Sequence, residues 1–225
     1  MKIFCTQAFE EVFHKILPSL DGDSVIFGTT GGLVGRIEAG EAADLLLAAR
    51  PALDELARRG LVEAGSIADI ASTDVGVGVK QGGGKIDLSS EAALKKLLLA
   101  AGPVAYPDPA GGGASGVHFA KVLERLGVAE EVNRSAILVE AGGSAGPYVI
   151  GGQAGLAVQM ISELIPTAGI EIAGALPGEF AKTIAFAAAV VKGAAHAGEA
   201  LKVIAALKTP AAGEIMRKAG LDQSI

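Results

Sequence analysis

Residues Tyr106 to Gly127 read YPDPAGGGASGVHFAKVLERLG, a short apolar strand that passes through a glycine-rich turn into an amphipathic helix. Gly111, Gly112 and Gly113 let the backbone turn sharply and approach a ligand closely. Ser115 stands just before a helical pattern carried by Val117, Val122, Leu123 and Leu126. The unpaired N–H groups of such a helix start, Ala114 and Ser115 among them, favour negative charge without needing a cationic side chain. Turns of this kind also serve simply to join elements, and taken alone this one reads as a connection. No Gly-Lys-Ser/Thr follows the glycines, so it is not a P-loop, and GGGASG lacks the G-x-G-x-x-G order of a dinucleotide fingerprint.

Two further turns raise the anion reading. GTTGG at Gly28 to Gly32 lies between the apolar run Ser24 to Phe27 and a helical segment from Leu33 to Ala39. It offers the hydroxyls of Thr29 and Thr30 and backbone donors such as Gly31. At the end of the first strand, Ile3, Phe4 and Cys5 give way to Thr6 and Gln7 before a helix with Phe9, Val12, Phe13 and Ile16 on one face. The commoner task of each threonine is to cap a helix. Strands of one parallel sheet nevertheless end on the same side, where ligands bind, so the three turns are expected to converge.

With 225 residues, half of them apolar and 20% charged, the chain has ample material for a packed core, in one large domain or two small ones. Aromatic residues make up only 4% and Trp is absent, whereas Ala, Gly, Val and Leu abound, which suits helices packed on a parallel sheet. A net charge of −6 and the lack of a basic stripe argue against nucleic acid as a partner. The longest charge-free stretch, Ala141 to Ser162, carries six glycines, a proline, two glutamines and two serines. It reads as a buried strand, a loop and a helix start rather than a membrane span. One cysteine forms no internal disulfide, and Cys5 is expected to pack at its strand end. No basic and apolar leader precedes the first strand, so the expected location is the cytoplasm, or the periplasm if the chain is a mature fragment.

Apolar runs at Lys2–Cys5, Asp44–Ala49, Val75–Lys80, Val104–Pro107, Ala136–Glu140, Ala154–Val158 and Thr183–Lys192 alternate with helical patterns. Pro51 opens one helix that Gly60 closes, and Ser89 or Ser90 caps another that ends at Gly102-Pro103. The alternation predicts an α/β fold with mainly parallel strands. Extended passages at 68–87 and 170–178 read as two crossovers. They predict one lobe from 1–75 and 178–225, a second from 76–177, and a ligand cleft between them that closes by hinge motion.

These motifs, in this order, resemble the type II periplasmic-binding-protein superfamily, and within it the molybdate-binding-protein-like solute-binding branch. The resemblance spans nearly the whole chain: GTTGGLVGRIEAGEAADLLLAARPALDELARRGLVEAGS, YPDPAGGGASGVHFAKVLERLG and LKVIAALKTPAAGEIMRKAGL each match a family segment. It implies a two-lobed α/β fold, each lobe a mostly parallel sheet flanked by helices, with two crossover segments. It also implies a small oxyanion, molybdate-like or a carboxylate, held by hydroxyls and N–H groups of Thr6, Thr29, Thr30, Ala114 and Ser115. An ABC transporter permease is the implied partner, a monomer the implied state, and no cofactor or metal is implied. Molybdate binders of the branch add a tyrosine hydroxyl from a later strand-to-helix junction, where this chain has AGLAVQMISEL with Gln159 and Ser162 instead.

The Q-x-x-S-E-L segment at 159–164 is similar to aconitate isomerase, an enzyme subgroup of the same fold. That similarity implies a tricarboxylate and an allylic proton shift, which needs a base and an acid. His118, Glu163 and more weakly Tyr148 are the candidates. His118, near a helix start, is expected to stay neutral, or else to be a partly exposed residue without a special role. Glu163 lies in apolar text that would raise its pKa if buried, or else it caps, pairs or faces solvent. Arg36 could reach a ligand carboxylate as a fork, or pair with Glu38 or Glu41. Asp108 is expected to brace its turn, and His14 and His196 read as surface or packing residues. No transition-metal spacing and no Ser-His-Asp order stands out.

Overall fold

The computed structural model describes residues 1–19 and 25–223. Among them are ten strands and ten α-helices, which separate into two compact units: Met1–Ser72 with Ile184–Ile225, and Thr73–Thr183.

In the first unit β1 (Ile3–Thr6) lies between β2 (Val25–Gly28) and β3 (Leu45–Ala49), parallel to both. Residues 3–5 and 45–48 are wholly buried, because helices cover both faces; the strands are therefore unbroken apolar runs rather than alternating ones. The surrounding helices are α1 (Glu10–Ile16), α2 (Thr30–Glu38) and α3 (Arg50–Arg58). Leu33 and Ile37 of α2 and Leu53 and Leu56 of α3 pack with Phe4 and Leu46 into one cluster. The same unit holds the start of β4 (Ala68–Lys80).

In the second unit β5 (Val104–Pro107) runs parallel to β6 (Ile137–Val139) on one side and β7 (Leu156–Met160) on the other. The rest of β4 pairs antiparallel with β7 and with β8 (Ile170–Ala175). The helices are α4 (Glu91–Ala100), α5 (Ala114–Leu126), α6 (Ala129–Asn133), α7 (Gly146–Ile150) and α8 (Ile161–Leu164). The chain leaves this unit at the start of β9 (Thr183–Val190), which pairs antiparallel with β3 of the first unit's sheet. Phe186 of β9 meets Phe9 edge-on at 5.5 Å. Two helices, α9 (Ala197–Leu207) and α10 (Pro210–Lys218), and β10 (Asp222–Gln223) on β4 complete the first unit. Each unit thus repeats one plan: three parallel strands with the first in sequence at the centre, and an antiparallel strand beside the third.

The elements depart from the sequence reading in a few places. Ser24, the expected start of the second run, lies outside the described residues, and the strand there is Val25–Gly28. Strand β4 begins at Ala68, seven residues before Val75, and the extended passage after 170 forms β8. Ser115 does not precede its helix but is the second residue of α5, with Gly113 as N-cap. Of the three adjacent glycines only Gly112 takes a left-handed conformation, at φ 70°. Gly116 is required for a different reason, since a Cβ there would stand 2.2 Å from the carbonyl oxygen of Pro107. Cys5 is fully buried, as expected, and burial pushes its thiol pKa up.

Replacing Gly116 with alanine should therefore lower stability by about 1–3 kcal/mol, read as a reduced urea midpoint. Gly35→Ala in α2, where an added Cβ meets nothing within 4 Å, should instead raise stability by up to about 1 kcal/mol.

Candidate functional site

The three turns of the first unit's parallel strands stand at one end of its sheet. Thr6 closes β1 and is 3% exposed; it caps the 3-10 turn Gln7–Phe9 by backbone only, with no side-chain cap bond. Thr29 is the N-cap of α2, its hydroxyl oxygen accepting the Gly32 N–H at 3.1 Å. Thr30 begins that helix, and its hydroxyl accepts the Ala49 N–H at 3.2 Å, which ties the β2–α2 turn to the end of β3. Thr29 thus has the capping task common for its type, Thr30 instead ties two turns, and both keep a hydroxyl hydrogen to give. The N–H groups of Thr30 and Gly31 have no place in the helical ladder. No acidic residue lies in the first turn of α2, so nothing there competes with an anion for the helix dipole.

In the second unit the carboxyl end of β5 leads into Asp108, whose side chain accepts the Ala110 N–H at 2.9 Å and braces the turn as expected. The N-cap of α5, Gly113, has no side chain to offer, and the first turn again holds no acid. The first intrahelical bond is Val117 N–H to Gly113, which leaves the N–H groups of Ala114, Ser115 and Gly116 outside the ladder. This thirteen-residue helix is the less capped of the two.

The junction of β7 and α8 is organised differently from the sequence reading. Gln159, expected to meet a ligand, has its amide committed to its own unit. Its Oε1 accepts the Ala145 N–H at 2.8 Å, and its Nε2 donates to the Gly143 carbonyl at 3.1 Å and to Glu163 Oε2 at 2.7 Å. It sits 3% exposed and positions the 143–145 segment and Glu163. Ser162 is equally buried; its N–H reaches Thr73 Oγ1 at 3.3 Å, and its hydroxyl has no hydrogen-bond partner among the described residues. Glu163 retains some exposure as a residue, but its carboxyl group is enclosed. Burial pushes its pKa up to about 7 against the opposing pull of the Gln159 donor.

Three other candidates are placed by their contacts. His118 Nε2 lies 2.9 Å from the Phe180 carbonyl oxygen, so this nitrogen carries the hydrogen and donates. Arg36 is in the last turn of α2, about 9 Å along the axis from its start, where its fork holds Glu41 at 2.6 and 2.7 Å and lies over the Phe4 ring. The fork is therefore paired with Glu41, the alternative raised for it, rather than open to a ligand. Tyr148 lies in α7 and packs against the second unit's core with Val149 and Leu164.

A cavity of about 800 Å³ opens at the opposite, amino end of β1 and β3. Around it Lys2 pairs with Glu41 and Lys192 with Glu63, and His196 Nδ1 lies 3.2 Å from Glu199 Oε2. Buried Asp44 receives the N–H groups of Lys2 and His196 at 2.7 and 2.9 Å, which joins three chain segments and was not singled out from sequence. Among the described residues no three His, Cys, Asp or Glu converge as metal ligands, and no helix is long and apolar enough to cross a membrane.

Known proteins share this architecture. The family model of bacterial extracellular solute-binding proteins matches residues 24–222. An aconitate isomerase from a Pseudomonas species is 30% identical over 194 residues, which is 86% of this chain and 72% of that protein. The periplasmic molybdate-binding protein of Azotobacter vinelandii superposes over the whole of both chains with a TM-score of 0.76 at 20% identity. The sulfate-binding protein SubI of Mycobacterium tuberculosis superposes with a TM-score of 0.74 at 16% identity, over 98% of this chain and 85% of its own.

The Glu163 environment sets a pH dependence with a definite sign. Its carboxyl group holds a proton more tightly folded than unfolded, so this contribution is complete below about pH 4.5, declines as pH rises, and is gone above about pH 7. Across that window the protein should lose up to about 3 kcal/mol. In Glu163→Gln, denaturant melts at pH 5 and pH 8 should differ by correspondingly less.

Proposed function

The chain belongs to the bacterial extracellular solute-binding protein family, and on that basis we infer that it captures a small oxyanion at the carboxyl ends of its parallel strands. The observation that carries this reading is the pair of helix starts at Thr29–Gly31 and Gly113–Ser115. Each presents N–H groups outside the helical ladder, and neither has an acid in its first turn. Thr6, Thr29 and Thr30 add hydroxyls in the first unit, and Ala114 and Ser115 add backbone donors in the second. In this reading the anion is molybdate-like or a small carboxylate. The protein works as a monomer that hands its ligand to an ABC transporter permease from the periplasm. The sulfate- and molybdate-binding relatives of the same fold support an oxyanion over a neutral solute.

A second reading has its own support. The relative at 30% identity is an aconitate isomerase, and Glu163 holds a proton whose release falls near neutral pH. Isomerisation of an unsaturated tricarboxylate removes a proton from the carbon beside one carboxylate, shifts the double bond, and returns a proton at the far allylic carbon. The change is redox-neutral and needs only a group able to both take and give a proton at working pH. Glu163 meets that requirement, while His118 is oriented by the bond from its Nε2 to Phe180.

Thermal melts with molybdate, tungstate, sulfate, citrate and both aconitate isomers distinguish these readings. A true ligand at a hundred times its Kd adds about 2.7 kcal/mol, or about 5–10 °C for a chain of this size. Thr29→Val with Thr30→Val should erase most of that shift, whereas Thr29→Ser, which keeps cap and hydroxyl, should retain it. A flat response to every anion removes the binding reading. Incubation with trans-aconitate in deuterated water, followed by NMR, tests the other: cis isomer carrying deuterium is expected, and its complete absence across pH 5–9 dismisses the isomerase.

A further inference from the structure

Helix α5 begins without a side-chain cap, yet its first turn is gripped from two sides. On one side Gly116 lies so close to β5 that a Cβ there would stand 2.2 Å from the Pro107 carbonyl oxygen. His118, two residues on, projects about 200° further round the helix axis, and its Nε2 donates to the Phe180 carbonyl at 2.9 Å. Phe180 belongs to the 176–182 loop that follows β8, and this loop is itself pinned. Both of its ends meet Val75 of β4: the Leu176 N–H donates to the Val75 carbonyl at 3.0 Å, and the Val75 N–H donates to the Lys182 carbonyl at 2.9 Å. Between those ends the Glu179 N–H donates to Glu91 Oε1 of α4 at 3.0 Å. The Arg125 fork, two turns beyond His118, pairs with Glu179 and lies over the Phe180 ring, 4.9 Å from its centre.

We propose that His118 is a positioning residue for the second unit's anion donors: by bonding the first turn of α5 to the 176–182 loop, it aims the N–H groups of Ala114 and Ser115. This role rests on the oxyanion reading of the helix starts. Buried Phe119, Val122 and Leu123 anchor the helix further along. At the first turn the Gly116 contact is backbone against backbone, which sets the distance from β5. A directional bond from the opposite side sets the orientation. The chain that enters the helix adds little stiffness, since Gly111, Gly112 and Gly113 precede it. Donors left loose there would have to be ordered when the anion arrives, at a cost in affinity. The tie holds in either charge state of the ring, because the nitrogen that donates keeps its hydrogen when the other gains one. His118 thus acts through α5 rather than by touching the ligand.

Side-chain reach tests the role directly. Gln carries its amide nitrogen about as far from Cβ as His carries Nε2, whereas Asn carries the same donor one carbon short. In the ligand-free protein, hydrogen exchange should show the Val117 N–H, which donates to Gly113 at 3.0 Å, about fivefold less protected in His118→Ala and His118→Asn. His118→Gln should match the wild type, and the Leu123 amide deeper in α5 should be unchanged in all three. Titration calorimetry with molybdate, tungstate, sulfate, citrate and both aconitate isomers follows. The anion that the wild type binds should be held about fivefold more weakly by His118→Ala and His118→Asn, with affinity restored in His118→Gln. Val117 protection equal to wild type in His118→Ala, or equal behaviour of His118→Asn and His118→Gln, would overturn the tie. Lower protection with unchanged affinity would overturn the positioning role alone. A wild type that binds none of these anions defeats the oxyanion reading itself, and this role with it.

Discussion

In each unit a polar side chain ties two neighbouring strand-to-helix turns together. Thr30 does this in the first unit by accepting the Ala49 N–H from the end of β3, and Gln159 does it in the second by bonding Gly143 and Ala145 before α7. In the first unit the backbone donors at the start of α2 depend on this tie, because a helix start holds its N–H groups in place only if the chain before it is fixed. A loop with unfixed backbone would pay an ordering cost at the moment of binding.

The two ties differ in chemistry, and the difference divides the labour of the two units. Thr30 is a hydroxyl that accepts one N–H and has a hydrogen left, so the same atom can both hold the turn and face a ligand. Gln159 exhausts both hydrogens of its amide within the fold. Its neighbour Glu163 then becomes the group whose charge state matters, since it has a single donor and no ionic partner among the described residues. Substitution at Gln159 would thus alter a turn and a titration together, and the two effects are non-additive for groups in one network.

Much of the fold is legible in the chain because its buried parallel strands are unbroken apolar runs with clear turn residues between them. LLLAA at 45–49 and VAYP at 104–107 leave little else to be. Strand β8 is harder to recognise, since IEIAGA is only partly buried and contains three residue types depleted in strands, Glu, Ala and Gly. At the candidate site the turns were legible and the side-chain assignments less so. Thr29 carries its cap signal in the threonine-glycine spacing. Gln159 carries none, since its partners lie sixteen and fourteen residues away and are backbone atoms of glycine and alanine. Arg36 was open to two readings because a fork pairs equally well with a ligand carboxylate and with Glu41, and only distance from the helix start decides between them. The likeness between the two units, the first of three parallel strands at the centre and an antiparallel strand beside the third, follows from topology and cannot be read from residue spacing.

The threonine hydroxyls at the start of α2 have a consequence for what the first unit can tell apart. An oxygen that already receives a backbone N–H turns its hydrogen outward, so Thr29 and Thr30, together with the nearby amides, form a surface made chiefly of donors. An oxyanion that has lost all its protons can satisfy every one of them. One that retains a proton brings a donor to a donor and forfeits that bond. In the proposed binding role such a surface would respond to the protonation state of its guest, and sort acids by strength as well as by shape.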